Sequence, residues 1–193
     1  MLIARRTTQP AEEPITLAEA KLHLRVDHSD EDAYITGLIT AARVMCEQRT
    51  GRTLITSGWT VRADDFAATL ELPYPPLVSV TSVSYVDVYG ATQTVSSTDY
   101  RVDTHNEPCR VVPVTEWPIA DDRINSVTVV YTAGYGNAAA VPMPLKQWML
   151  LAIGDMYENR TASDWPMGTA APTASVPHSF VDGLLSAYRV ELL

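Results

Sequence analysis

The sequence predicts an α+β protein: a small helical bundle, split in sequence, with an inserted antiparallel β sandwich or barrel-like module. Three observations predict it. Apolar residues recur at helical spacing near both ends, as Ile35, Leu38, Ala42 and Met45 early and Phe180, Leu184, Leu185 and Tyr188 late. Between residues 53 and 137 the period falls to two, in short runs separated by turn residues. From Leu145 to Tyr157 the chain is apolar on nearly every side, so this helix is expected to be enclosed by other elements or other subunits. The expected division is residues 1–52 with 138–193 for the helical part and 53–137 for the β part.

Composition narrows the class. With 46% hydrophobic and 19% charged residues in 193, the chain has the make-up of a globular protein with a real core. Its 14 basic and 23 acidic residues leave a net charge of −9, which argues against a high-affinity nucleic-acid binder with a clustered basic face. Cys46 and Cys109 fit no metal spacing and read as buried free thiols of a reducing compartment. The apolar run in MLIARRTTQP is too short for a secretory signal, and Lys146, Asp155 and Glu158 interrupt the most apolar helix. The expectation is a soluble protein made in a cytoplasm, with no membrane contact.

Residues 1–13 carry no periodicity and read as loose. Thr16-Leu17-Ala18-Glu19 is a capping box, opening a short helix that ends near Val26. Asp27-His28-Ser29-Asp30-Glu31-Asp32 opens a second, with Ser29 as N-cap and three acids in the first turn, and it runs to Thr50 with Gly51 as its stop. That acidic run lacks the alternating ligands and central glycine of a calcium loop. Strands are expected at Leu54–Thr56, Trp59–Arg62, Thr69–Leu72, Val78–Val88, Thr92–Val95, Tyr100–Asp103, Arg110–Val114 and Ser126–Thr132, with Pro73-Tyr74-Pro75-Pro76 a rigid break. Two prolines, Pro142 and Pro144, start the long apolar helix. Residues 161–179 read as a long loop, followed by a short docking helix.

Signs of chemistry are few. There is no phosphate loop, GxSxG elbow, HExxH or paired CxxC, so no catalytic residue, metal ligand or cofactor is assigned. His23, His28, His105 and His178 are scattered. Glu116 with Asp121 or Asp122 beside Trp117 would suit a glycosidase pair, against the plainer reading of a solvated loop. Tyr74, Tyr89, Trp117 and Trp165 are possible anchors for protein contacts; Trp148, Tyr157, Trp165, Phe180 and Tyr188 are the candidate interface residues of the helical part.

The order of segments adds a resemblance. Thr16 through Asp27 (TLAEAKLHLRVD), with the acidic start and long helix to Arg49-Thr50-Gly51-Arg52, resembles the tailed-phage head–tail connector (head-completion adaptor) family. Leu72–Val80, Val130–Gly136 and Pro144–Arg160 look like its larger members, which carry a β insertion. The resemblance spans roughly residues 14–160. It implies a non-enzymatic structural protein in a ring of about a dozen copies. The portal, the neck and tail completion proteins and itself are the implied partners. DNA would pass through the ring without specific binding, with the virion neck and the host cytoplasm during assembly as locations. The strand module's role does not follow. The alternative is a β-sandwich module binding carbohydrate or a host surface.

Overall fold

The computed structural model describes residues 3–160 and 183–190. Contacts divide the chain into two compact units: of the described residues, 3–12, 51–137 and 190 form one, and 13–50, 138–160 and 183–189 the other.

The helical unit holds α1 (Leu17–Leu24), α2 (Asp32–Thr50) and α3 (Met143–Glu158). The capping box forms as expected: the Thr16 hydroxyl accepts from the Glu19 N–H at 3.2 Å and the Glu19 carboxylate accepts from the Thr16 N–H at 2.7 Å. Arg25 in the left-handed conformation (φ 59°) ends α1. α2 starts later than expected. The Asp32 N–H bonds back to the Ser29 carbonyl in a turn, and the Ile35 N–H takes the Glu31 carbonyl, so Ser29 is not the cap and Asp32 alone of the acids lies in the first turn. Ile35, Leu38, Ile39, Ala42 and Cys46 form its buried stripe, while Met45 is half-buried. Gly51 stops it at φ 67°.

Within the single chain, other elements do not enclose α3 on all sides. Leu145, Trp148, Met149 and Ile153 are buried, the spacing of one helical face. Leu150, Leu151 and Met156 are only half-covered, and Met143 is 69% exposed. α2 and α3 run antiparallel: Arg49 of α2 lies over the Trp148 ring, and Tyr34 donates to the Met156 carbonyl at 3.3 Å. Residues 183–186 make a helical turn with Leu185 fully buried. Among the described residues no helix is long and apolar enough to cross a membrane.

The β unit is a sandwich of two antiparallel sheets. Residues 3–8, expected to be loose, are instead strand β1 (Ile3–Thr8), the outer strand of a five-stranded sheet. Its inward residues, Ala4 and Arg6, hid the pattern: the Arg6 guanidinium lies 4.8 Å from the Trp59 ring centre, covering apolar surface with a charged residue. The sheet continues through β2 (Ser57–Ala63), β8 (Val127–Ala133), β4 (Leu77–Val86) and β5 (Thr92–Val95); the other is β3 (Leu70–Leu72), β7 (Cys109–Pro113) and β6 (Tyr100–Asp103). Both inner faces feed one core, with Trp59, Val61, Val83, Val129 and Tyr131 from the larger sheet and Leu70, Leu72 and Val111 from the smaller.

Leu54–Thr56 is not a strand. It is irregular backbone, tied by the Tyr135 N–H to the Leu54 carbonyl and the Thr56 N–H to the Gly136 carbonyl, both at 3.0 Å. The Pro-rich break holds Tyr74 at φ 63°, an uncommon conformation for a tyrosine, compensated by stacking on Trp59 at 4.2 Å and by the Thr53 hydroxyl donating to its carbonyl.

Candidate functional surfaces

The acids proposed for hydrolysis do not form a converging pair. Glu116, Trp117 and Pro118 line a cavity of about 370 Å³ together with Asp99, Thr94, Ser96 and Thr98, but neither Asp121 nor Asp122 does. Asp121 accepts from the Arg123 Nε at 2.8 Å. One face of the Trp117 indole is taken by Phe66, stacked at 4.7 Å, so a sugar ring could use only the other. Among the described residues no three His, Cys, Asp or Glu side chains come together as a metal site would need. His23 faces Gly154 and the His105 N–H donates to Asp103, while His178 lies outside the described residues.

The depressed carboxyls in the β unit belong to turns. Asp87 is held below its ordinary value first by the Gln93 amide and then by the Ala91 N–H, closing the β4–β5 hairpin. Asp103 is held low first by Asn106 and then by the His105 N–H. These groups fix loops, as Asp side chains do in tight turns.

The proposed contact aromatics separate by burial. Trp148 is 3% exposed beneath Arg49 and serves the interior of the helical unit. Tyr157 and Tyr188 are half-exposed, and Trp165 and Phe180 lie outside the described residues. Tyr74 and Trp117 are stacked on neighbours, whereas Tyr89 is 93% exposed at the hairpin tip. Sequence reasoning missed two features. One is the pair Arg5 and Arg62, which share a concavity of about 330 Å³ at the β1 edge. The other is Ile119 and Ile124, each 80% exposed in the loop before β8. The first was hidden because β1 itself was not recognised; the second has no periodic signal.

The fold has counterparts. A chain in the neck of an empty gene transfer agent (GTA) particle, computed with C6 symmetry, superposes with a TM-score of 0.77 at 24% identity, over 99% of this chain and 97% of that one. A chain in the virion of a native gene transfer agent particle gives the same values. One in the neck of a native GTA particle, computed with C12 symmetry, gives 0.74 at 23% identity with the same coverage. No curated protein matches the chain in sequence. Residues 14–85 match the family described as phage gp6-like head-tail connector protein. That segment runs from just before the α1 capping box to Tyr85 in β4, and the family it matches is the head–tail connector family which the order of segments resembles.

Proposed function

We propose that the chain is a structural neck protein of a phage-type particle. It acts as an adaptor that assembles as a ring under the portal, extends the DNA channel and offers a platform for the tail or a stopper. The observation that carries this reading is the connector-family segment at residues 14–85, set in a fold that covers 97% of a neck chain. The helical unit supports it. Met143 and the half-covered Leu150 and Leu151 leave apolar surface on α3 for a neighbouring copy, with Tyr157 and Tyr188 as further contacts. A net charge of −9 suits a wall past which DNA slides, since attraction to phosphates would grip it. The role is non-enzymatic, and it places the chain in the host cytoplasm until the neck is built.

The test is to delete the gene from the parent particle and image what accumulates. Filled heads without tails, together with density for this chain at the capsid vertex of the intact particle, are expected. Tailed, infectious particles from the deletion strain would overturn the reading.

A further inference from the structure

The two outer strands of the five-stranded sheet carry concavities of opposite charge. At the β1–β2 edge the lining residues are Ile3, Arg5, Thr7, Thr60, Arg62 and Asn125. The register sets Arg5 opposite Thr60 and Arg62 opposite Ile3, so the two arginines rise from diagonal positions on one face, where neighbours stand roughly 7–8 Å apart. Neither has an ion pair or side-chain hydrogen bond among the described residues. Arg43, Arg52, Arg123 and Arg160, by contrast, each hold a carboxylate. Asp64, close in sequence, instead accepts the Asn125 N–H at 2.9 Å, holding Asn125 at φ 60°. Adjacent like charges on a sheet repel. In a chain with an excess of acids, two unanswered arginines sharing one hollow point to an anion from outside the fold.

At the opposite edge, the cavity beside β5 has Asp99 and Glu116 as its only charged lining residues. Neither is ion-paired among the described residues, and both are exposed. Tyr85 of β4 and Thr94 of β5 form its sheet wall.

We infer that these hollows are the two halves of one interface, in which Arg5 and Arg62 of one copy receive Asp99 and Glu116 of the next. The planar guanidinium fork matches a carboxylate with two parallel hydrogen bonds, which fixes orientation as well as charge. The surfaces differ, so the contact is heterologous and propagates head to tail until rotation closes it into a ring. This rests on the ring reading proposed above and assigns the β unit its part in it. The charges set register and association rate more than total affinity, which the apolar surface of the copies supplies.

Two full-length variants test it, Arg5→Glu/Arg62→Glu and Asp99→Arg/Glu116→Arg, with circular dichroism showing that each folds. Self-association is read by sedimentation velocity and, for rings that close only on their docking partner, by incorporation into purified particles. Either variant alone is expected to associate at least about tenfold more weakly. A one-to-one mixture is expected to recover, because each variant then presents the complement of the other. Oligomers unchanged in both variants, or weakened without recovery on mixing, overturn the edge pairing and leave the ring reading standing. Variants that associate normally but lose binding to duplex DNA would assign the arginines to phosphates and likewise overturn it. Wild-type chain that neither associates in solution nor appears in particles overturns the ring reading and this inference with it.

Discussion

Tyr34, at the start of α2, and Tyr157, near the end of α3, hold their rings 6.2 Å apart, and Arg160 lies against both, at 4.8 and 4.7 Å. The same guanidinium donates to Glu31 at 2.7 Å, and the Tyr157 hydroxyl donates to the other oxygen of that carboxylate. Four side chains thus act as a clasp at one end of the antiparallel helix pair. Because they share partners, their effects should not add. Arg160→Met and Glu31→Gln are each expected to lower the melting temperature. The double variant should fall by clearly less than the two combined, and thermal melts of the four proteins in the cycle measure it. Strict additivity would show that the clasp is four separate contacts.

Gly134 sits at φ +134°, and a Cβ there would lie 2.6 Å from the Thr56 nitrogen and 2.7 Å from the Ile55 carbonyl carbon. These are backbone atoms, which cannot swing aside, and the Gly134 N–H is committed to the Pro76 carbonyl at 2.8 Å. Gly134→Ala is therefore expected to lower stability by about 3 kcal/mol or more. Gly37, in α2 with open space where its Cβ would be, is the control. Gly37→Ala should raise stability by about 0.5–1 kcal/mol, since alanine loses less backbone freedom on entering a helix. Urea midpoints of the two variants should move in opposite directions.

The contrast between those glycines shows what a sequence can and cannot display. The Gly-Tyr-Gly turn after β8 reads as a break in either case, but the close approach of residues 55–56 is set by chain more than 70 positions earlier. Strands β2 to β8 are legible because their alternation is local, and α2 because its stripe is. Strand β1 is not, since Arg6 takes an inward position that a pattern of apolar residues cannot reveal. For the same reason the edge that bears Arg5 and Arg62 was invisible: it exists only once β1 pairs with β2. The start of α2 is not legible because Ser29 is a favoured N-cap type and glutamate is not, yet the Ser29–Asp32 turn leaves the Glu31 carbonyl to accept the first helical bond.

Stability should depend on pH below the neutral range. Glu19 is held under its ordinary value first by the Thr16 N–H and then by the Thr16 hydroxyl, and Asp87 by its hairpin partners. A carboxyl with a lowered folded pKa binds its proton less readily folded than unfolded. Its contribution is therefore whole above the ordinary carboxylate value near about 4 and is lost as pH falls through the lower folded value. Melting temperature should be nearly flat from neutral pH to about 5 and then fall. Glu19→Gln and Asp87→Asn should lower the plateau and shallow the acid limb. An acid limb unchanged in both would remove these groups as its source.

Both thiols should be silent in the folded protein. Cys46 is fully buried in α2, and burial pushes its thiol up to about 12, with Glu47 adding to the effect. Cys109 is 1% exposed, and burial raises it as well. The thiolate is the reactive form, so access and ionisation both oppose modification. A disulfide-exchange reagent at mildly alkaline pH should find no thiol in native protein and both cysteines after denaturation. Rapid native labelling would mean that these segments open readily.

Arg43 offers the sharpest test of the helical unit's interior. It is 5% exposed, donates through Nε to Glu13 at 2.7 Å and through Nη1 to Glu47 at 3.1 Å, while Glu13 also accepts from Thr40 at 2.9 Å. Glu47 is itself 6% exposed, so its charge cannot turn to water once Arg43 is gone, whereas the partly exposed Glu13 can. Arg43 answers two carboxylates at once, and removing one member of a buried pair is strongly destabilising, so Arg43→Met is expected to cost about 3–5 kcal/mol. Because Arg43 and Glu47 share a contact, their effects should not add: Glu47→Gln is expected to cost less in the Arg43→Met background than in the wild type, a coupling that urea denaturation of the four proteins resolves directly. Strict additivity would mean that Glu47 contributes through contacts other than Arg43.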